Sequence, residues 1–290
     1  MVRTPLKTLL LASNIAWPIP SGRLVCRLIR FWIFHRVQEF MSWLQLDGSH
    51  QLYALFGAAF IMGLAKSGIK GLTMLAVPLL ALNFGAKAST GLLVPILLAG
   101  DILAVIYYRR SANWKYVFRL IPAAVIGVVV AVVVGDWVNE RTFQLIVSIV
   151  VLLSLGLIIY LERYPLDPKI TQNRLPAFIA GLAGGFTTMI GNVGGPVMNV
   201  FLLSMRLPKL EFLGTAAYFF LLINIVKFPF HYFIWNTVSA RTLLQDLITF
   251  PVIAIGFFIG IQIVKRIPER EFRYLVIVVT AVVAVRLLLS

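Results

Sequence analysis

The sequence predicts an all-α membrane protein. It reads as two inverted repeats of four hydrophobic segments, with the first segment of each broken or re-entrant. Three observations carry this. Of the 290 residues, 60% are hydrophobic and 13% charged, where a soluble domain carries about 25% charged residues. The apolar residues gather into stretches of membrane-spanning length, four on each side of a polar linker at 162–174. Residue patterns also recur between the two halves at fixed spacing. The single cysteine, Cys26, excludes a scaffold of internal disulfides. The 26 Lys and Arg against 11 Asp and Glu give +15. On a soluble protein that charge would suggest nucleic acid; here it points to topology and to anions.

Within lipid, every backbone N–H and C=O must be bonded inside its own segment. An apolar run is therefore helical, and about 20 residues cross the hydrocarbon. The first half offers 51–84, 89–108, 117–135 and 143–161. The second offers 175–207, 212–235, 243–264 and 272–289. The chain thus divides into a basic N-terminal extension (1–50), repeat 1 (51–161), a cytoplasmic linker (162–174) and repeat 2 (175–290).

The duplication is visible in the residues. Gly68, Gly71 and Gly91 fall on Gly191, Gly194 and Gly214 at a shift of 123, and Asp101 falls on Asn224. At a shift of 129, Pro122, Gly127, Glu140, Arg141 and Phe143 fall on Pro251, Gly256, Glu269, Arg270 and Phe272. The spaced P-x4-G and E-R-x-F pair carries more weight than the glycines.

Each repeat opens on a stretch too long for one straight helix. About 33 residues at 1.5 Å each make about 50 Å, against a core of ~30 Å. Each stretch also holds a breaker, G-L-A-K-S-G-I-K-G from Gly63 and G-N-V-G-G-P from Gly191. A tilted broken helix and a re-entrant hairpin both satisfy this. Loop charge favours hairpins. If both stretches fold back, one face collects thirteen basic loop residues and the other only Lys87, Arg141 and Arg241. Cytoplasmic loops are enriched in Lys and Arg. Equivalent loops of the two repeats then carry opposite bias, as inversion requires.

The first 50 residues carry Arg3, Lys7, Arg23, Arg27, Arg30 and Arg36. Segment 24–40 has too many arginines to span and reads as an interfacial amphipathic helix. A short, proline-broken signal over 8–19 and a start at Met41 are the other readings. No function is assigned before Met41.

Ionisable residues fall within the apolar stretches, among them Lys66, Lys70, Asp101, Lys227 and His231. A Lys or Asp at the helix centre costs roughly 2.5–3.5 kcal/mol, so such residues face a cavity or a partner and are functional candidates. Lysine beside the free N–H groups of broken helices makes an anion site. The expected contacts are Lys66, Ser67, Gly68, Lys70 and Gly71 in the first break. Gly191, Asn192, Gly194, Gly195 and Asn199 belong to the second. Asn224 and Lys227 share a helix face with His231. Thr73, Thr187 and Thr188 add neutral donors. Asp101 or His231 is the expected carrier of a coupling proton.

Plainer readings stand beside these. Glycine-rich breaks also serve close packing. Lys70 can snorkel, Asp101 can pair internally with Arg109 or Arg110 beside Tyr107, and His231 lies near a helix end. No metal-ligand cluster appears, since His35, His50 and His231 are scattered. There is no phosphate-binding loop or dinucleotide fingerprint, and no G-x-S-x-G. No cofactor, metal or catalytic residue is expected.

The runs G-L-A-K-S-G-I-K-G-L, V-P-L-L-A-L-N-F, S-T-G-L-L-V-P-I-L-L-A-G-D and V-I-Y-Y-R-R, with G-N-V-G-G-P-V-M-N, L-P-K and N-I-V-K-F-P later, resemble the two repeats of the TauE/SafE sulfite exporter family. The likeness covers about Leu52 to Leu289. It places Lys66, Gly68, Gly71, Asp101, Gly194, Gly195, Pro196, Asn224 and Lys227 on family motif positions. It implies a multi-pass carrier of the bacterial inner membrane for small sulfur-containing anions, sulfite or organosulfonates. The expectation is a secondary transporter that exports such an anion, not an enzyme. An anion channel or importer for a small oxyanion or carboxylate is the alternative, and a non-transport membrane protein the third class. The expected partners are the anion and the bilayer, without nucleic acid and with a homodimer left open.

Overall fold

A computed structural model describes residues 48–69, 72–164, 174–205, 207–264 and 266. The expectations for the N-terminal extension, for Lys70 and Gly71, for 165–173 of the linker and for the last apolar stretch lie outside the described residues, as does the side chain of Asn199. Among the described residues there are nine helices and no strand. They are α1 (Ser49–Lys66), α2 (Thr73–Phe84), α3 (Ala86–Tyr108), α4 (Trp114–Trp137), α5 (Glu140–Arg163), α6 (Arg174–Gly191), α7 (Gly194–Ser204), α8 (Lys209–Phe233) and α9 (Ala240–Val264). By length and composition α3, α4, α8 and α9 are long and apolar enough to cross a membrane. Exposed residues such as Phe118, Leu153 and Leu247 turn outward, the surface a bilayer would cover.

Both opening stretches break where the sequence places the breakers, and both fold back. In the first, the Gln51 side-chain amide donates to the Asn83 carbonyl at 3.0 Å, joining the start of α1 to the end of α2. In one straight helix those residues would lie about 48 Å apart. In the second, a Cβ on Gly194 would stand 2.8 Å from the Gly184 carbonyl oxygen, so α7 turns back along α6. Each turn uses a left-handed residue, Gly68 (φ 113) and Asn192 (φ 55). Glycine, and among side-chain residues asparagine, reach that region at least cost.

The two hairpins lean on helices of the opposite half: α6 packs on α4, and α1 on α9. Both crossings have one register. A Cβ on Gly127 would meet Leu182 O (2.1 Å) and Phe186 N (2.8 Å); on Gly256 it would meet Phe60 O (2.4 Å) and Leu64 N (3.3 Å). From the other side, Gly185 faces Ala124 O (2.0 Å) and Gly63 faces Ile253 O (2.2 Å). Every partner in one crossing maps onto the other by adding 129 to α4 numbers and subtracting 122 from α6 numbers. These glycines are backbone contact points, as small residues are in membrane helices. The α1–α6 match is 122, one less than the shift of 123 that aligns the later glycines.

Side-chain ties set the ends of the bundle. Glu140 accepts from Ala86 N (2.8 Å) and Lys87 N (3.2 Å), capping α3 and placing the α4–α5 turn beside its start. Trp235, just past α8, packs edge-on against Phe143 at 5.4 Å and donates to the Val132 carbonyl at 3.2 Å. At the opposite end Asn113 donates to Glu211 at 2.5 Å, joining the α3–α4 turn to the start of α8. Arg110 and Arg141 thus sit at opposite ends of the 24-residue α4.

Candidate functional site

A cavity of about 90 Å³ lies where the two breaks meet. Lys66 and Gly68 line it from the first break and Asn192 and Gly195 from the second, with Asp101 of α3 and Asn224 of α8 between them. A Cβ on Gly195 would lie 3.6 Å from Thr73 Oγ1, so the starts of α2 and α7 are neighbours. The cavity runs from mid-helix toward Tyr108 and Phe212, at the end of the bundle that carries Arg109 and Arg110. Its other walls are apolar, among them Leu97, Leu213 and Phe220.

One hydrogen-bonded chain crosses the site. Lys66 Nζ lies 2.5 Å from Asp101 Oδ1. Asn224 donates from Nδ2 to Asp101 Oδ2 at 2.6 Å. Lys227 then donates to three oxygens, Asn192 Oδ1 (2.6 Å), Asn224 Oδ1 (3.2 Å) and Thr188 Oγ1 (3.4 Å). Asn192 donates from Nδ2 to the Thr90 carbonyl at 3.0 Å. Carboxylates and carbonyls only accept, so each amide must turn its nitrogen to them and its oxygen to Lys227. An ammonium has three N–H donors, and here each meets an acceptor. Asp101, Asn224 and Lys227 are buried, and Lys66 also lies over the Phe220 ring at 5.0 Å.

The expected residues divide into those on the cavity wall and those behind it. Lys66, Gly68, Asp101, Asn192, Gly195 and Asn224 line it, with Thr73 and Thr188. Lys227 stands one layer back, behind its own acceptors. Gly191 and Gly194 shape the second turn. Ser67 is turned away, its hydroxyl donating to the Leu64 carbonyl at 2.7 Å, so it is not a ligand donor here. Thr187 likewise bonds to the Ala183 carbonyl at 2.7 Å. The expected alternative partners of Asp101, Arg109 and Arg110, are replaced by Lys66, because the fold-back carries the end of α1 to mid-α3. His231 is fully buried one turn beyond Lys227. Its Nδ1 lies 2.9 Å from Thr237 Oγ1, and its Nε2 has no hydrogen-bond partner among the described residues.

The helix ends at the breaks are of both signs, not the N-termini alone. The breaks hold the N-termini of α2 and α7 but also the C-termini of α1 and α6. Each end carries about half a charge, two of each sign. Tyr108 further ties down the end of α1, donating to the Ser67 carbonyl at 2.8 Å. Formal charges therefore dominate. Two residues escaped the sequence reading. Tyr108 had a signal, since it falls on His231 at the shift of 123. Asp246 is a further ionisable residue inside an apolar stretch; it is buried, with neither carboxylate oxygen hydrogen-bonded among the described residues.

These features define a polytopic helical membrane protein with a polar centre between two helix breaks. The model of the family described as Sulfite exporter TauE/SafE matches residues 55–287. The chain belongs to that family of membrane transporters. No curated protein and no solved structure matches it.

Proposed function

We propose that the protein is a secondary transporter exporting a small sulfur-containing anion, sulfite or an organosulfonate, across the bacterial inner membrane. The observation that carries this is the meeting of both helix breaks at one small, mostly apolar cavity, with Lys66 on its wall and the buried Lys227 behind it. Non-helical backbone at membrane depth is tolerated where it lines such a cavity. Family membership supports the sulfur oxyanion.

An inverted repeat accounts for the two crossings of equal register. It also accounts for the Asp101–Asn224 hydrogen bond, because equivalent positions touch each other only on the symmetry axis. Positive-inside bias then sets the Arg109–Arg110 end in the cytoplasm, with the cavity opening toward it. The opposite end is filled by Trp235 and by Thr237 in the notch over Gly91. A cavity sealed at one end supports a carrier over a channel.

A negative-inside potential favours anion exit by about 2.3 kcal/mol per charge per 100 mV, so export needs no coupled ion. Of the two coupling candidates, Asp101 faces the cavity and His231 acts only from behind Lys227. Tracer sulfite flux in proteoliposomes tests the reading. Lys66→Ala is expected to abolish flux, and full flux in that variant refutes the site. Cysteine labelling tests the topology, with Arg110 and Arg141 expected on opposite faces; labelling from one face sinks the inversion.

A further inference from the structure

We infer that the site selects singly charged tetrahedral or pyramidal oxyanions over doubly charged ones, because the formal charges at its centre, among the described residues, add up to one positive charge. The inference rests on the transport reading and deepens it.

Among the described residues the charges at the centre are Lys66, Asp101 and Lys227. Lys66 and Asp101 pair with each other and cancel. Lys227 is held by three neutral oxygens, from two amides and a hydroxyl, with no carboxylate among its direct partners in the described residues. The breaks bring two helix N-termini and two C-termini beside the site. One positive charge is left over, behind a wall formed by its own ligands Thr188, Asn192 and Asn224.

A monoanion in the cavity makes the buried centre neutral. A dianion leaves one negative charge uncompensated among Leu97, Leu213 and Phe220. Burying an unpaired charge is costly, and the interior screens it poorly. The same apolar wall suits a methyl group in place of one oxygen. Lys227 is on this account a specificity residue that acts through its ligands, and Asp101 sets the count by cancelling Lys66.

Methanesulfonate and sulfate make a matched pair of probes, both tetrahedral and similar in size, with one charge and two. For purified wild-type protein, calorimetry is expected to give at least about tenfold tighter binding of methanesulfonate, the ratio for one uncompensated charge at modest screening.

Asp101→Asn raises the count to two and is expected to move the ratio toward sulfate. The double variant Lys66→Met with Asp101→Asn restores a count of one and is expected to restore the wild-type ratio. This separates charge from mere disturbance of the pair. Lys227→Met lowers the count to zero and is expected to weaken both anions. Equal binding of the two probes by wild type overturns the inference, as does one common ratio in Asp101→Asn and the double variant. In both cases sulfite binding leaves the transport reading standing. Failure of wild type to bind sulfite or either probe overturns both.

Discussion

The two halves of the molecule share a frame and differ at its centre. The α4–α6 and α9–α1 crossings repeat one register, down to which backbone oxygen faces which glycine. The polar groups between them do not repeat. Asp101 answers to Asn224, Lys66 to Thr188 at the α1–α6 shift of 122, and Lys227 to Ala104. One half contributes an ion pair; the other contributes a cation held by neutral oxygens. Packing requires the shared part, since two crossings of one shape need glycine at matching places. Packing does not require the differences, since one frame accepts alanine where the other half has lysine. Departures from the repeat are thus where function is to be sought.

The frame is the easiest part to break. Leucine at Gly185 or at Gly63 would drive its Cβ to within 2.0 Å of Ala124 O or 2.2 Å of Ile253 O. The obstacle is backbone, so the cost should exceed the ~1–3 kcal/mol typical of overpacking. Both variants are expected to lose the monodisperse peak on size exclusion in detergent. Loss in one and not the other would break the equivalence of the crossings. Gly156, with nothing within 4 Å of a Cβ, is the control and should accept alanine.

The centre should respond unequally. Asp101→Ala leaves the Lys66 ammonium buried without its carboxylate, a change that costs about 3–5 kcal/mol. Asn224→Ala removes a neutral bridge and should cost about 1–3 kcal/mol. Thermal unfolding in detergent reads both. Adding Lys66→Met to Asp101→Ala should recover most of the loss, and failure to do so would show that Asp101 supports the fold by some contact other than this pair.

Much of this was legible in the residues. Stretch lengths and breakers marked the two breaks, loop charge favoured folding back, and the E-R-x-F match found a working part, since Glu140 caps α3 and Phe143 seats Trp235. Glu140→Ala should cost about 0.5–2 kcal/mol, as loss of a cap does. The matching Glu269→Ala is expected to give the same loss if the repeat extends that far. What sequence could not supply was pairing. The partner of Asp101 depends on a fold-back that brings residues 35 apart into contact, and arginines eight and nine positions away looked nearer. The helix ends at the breaks were counted incompletely for a related reason. A breaker announces new N-termini, but only the folded hairpin shows the two C-termini beside them.

The smallest effect expected is also the one that ranks the ligands of Lys227. Thr188 Oγ1 is the most distant, at 3.4 Å, near the limit of a hydrogen bond. Thr188→Val should cost about 0.5–1.5 kcal/mol of anion affinity or less, under about tenfold. Asn192→Gly keeps the left-handed turn, which glycine adopts freely, but removes the 2.6 Å contact and the link to Thr90. It should weaken sulfite binding more. Thr188 also lines the cavity, so the comparison has a second edge. If Thr188→Val proves the more damaging, its hydroxyl serves the anion and not the lysine, and the ordering by distance from Nζ fails.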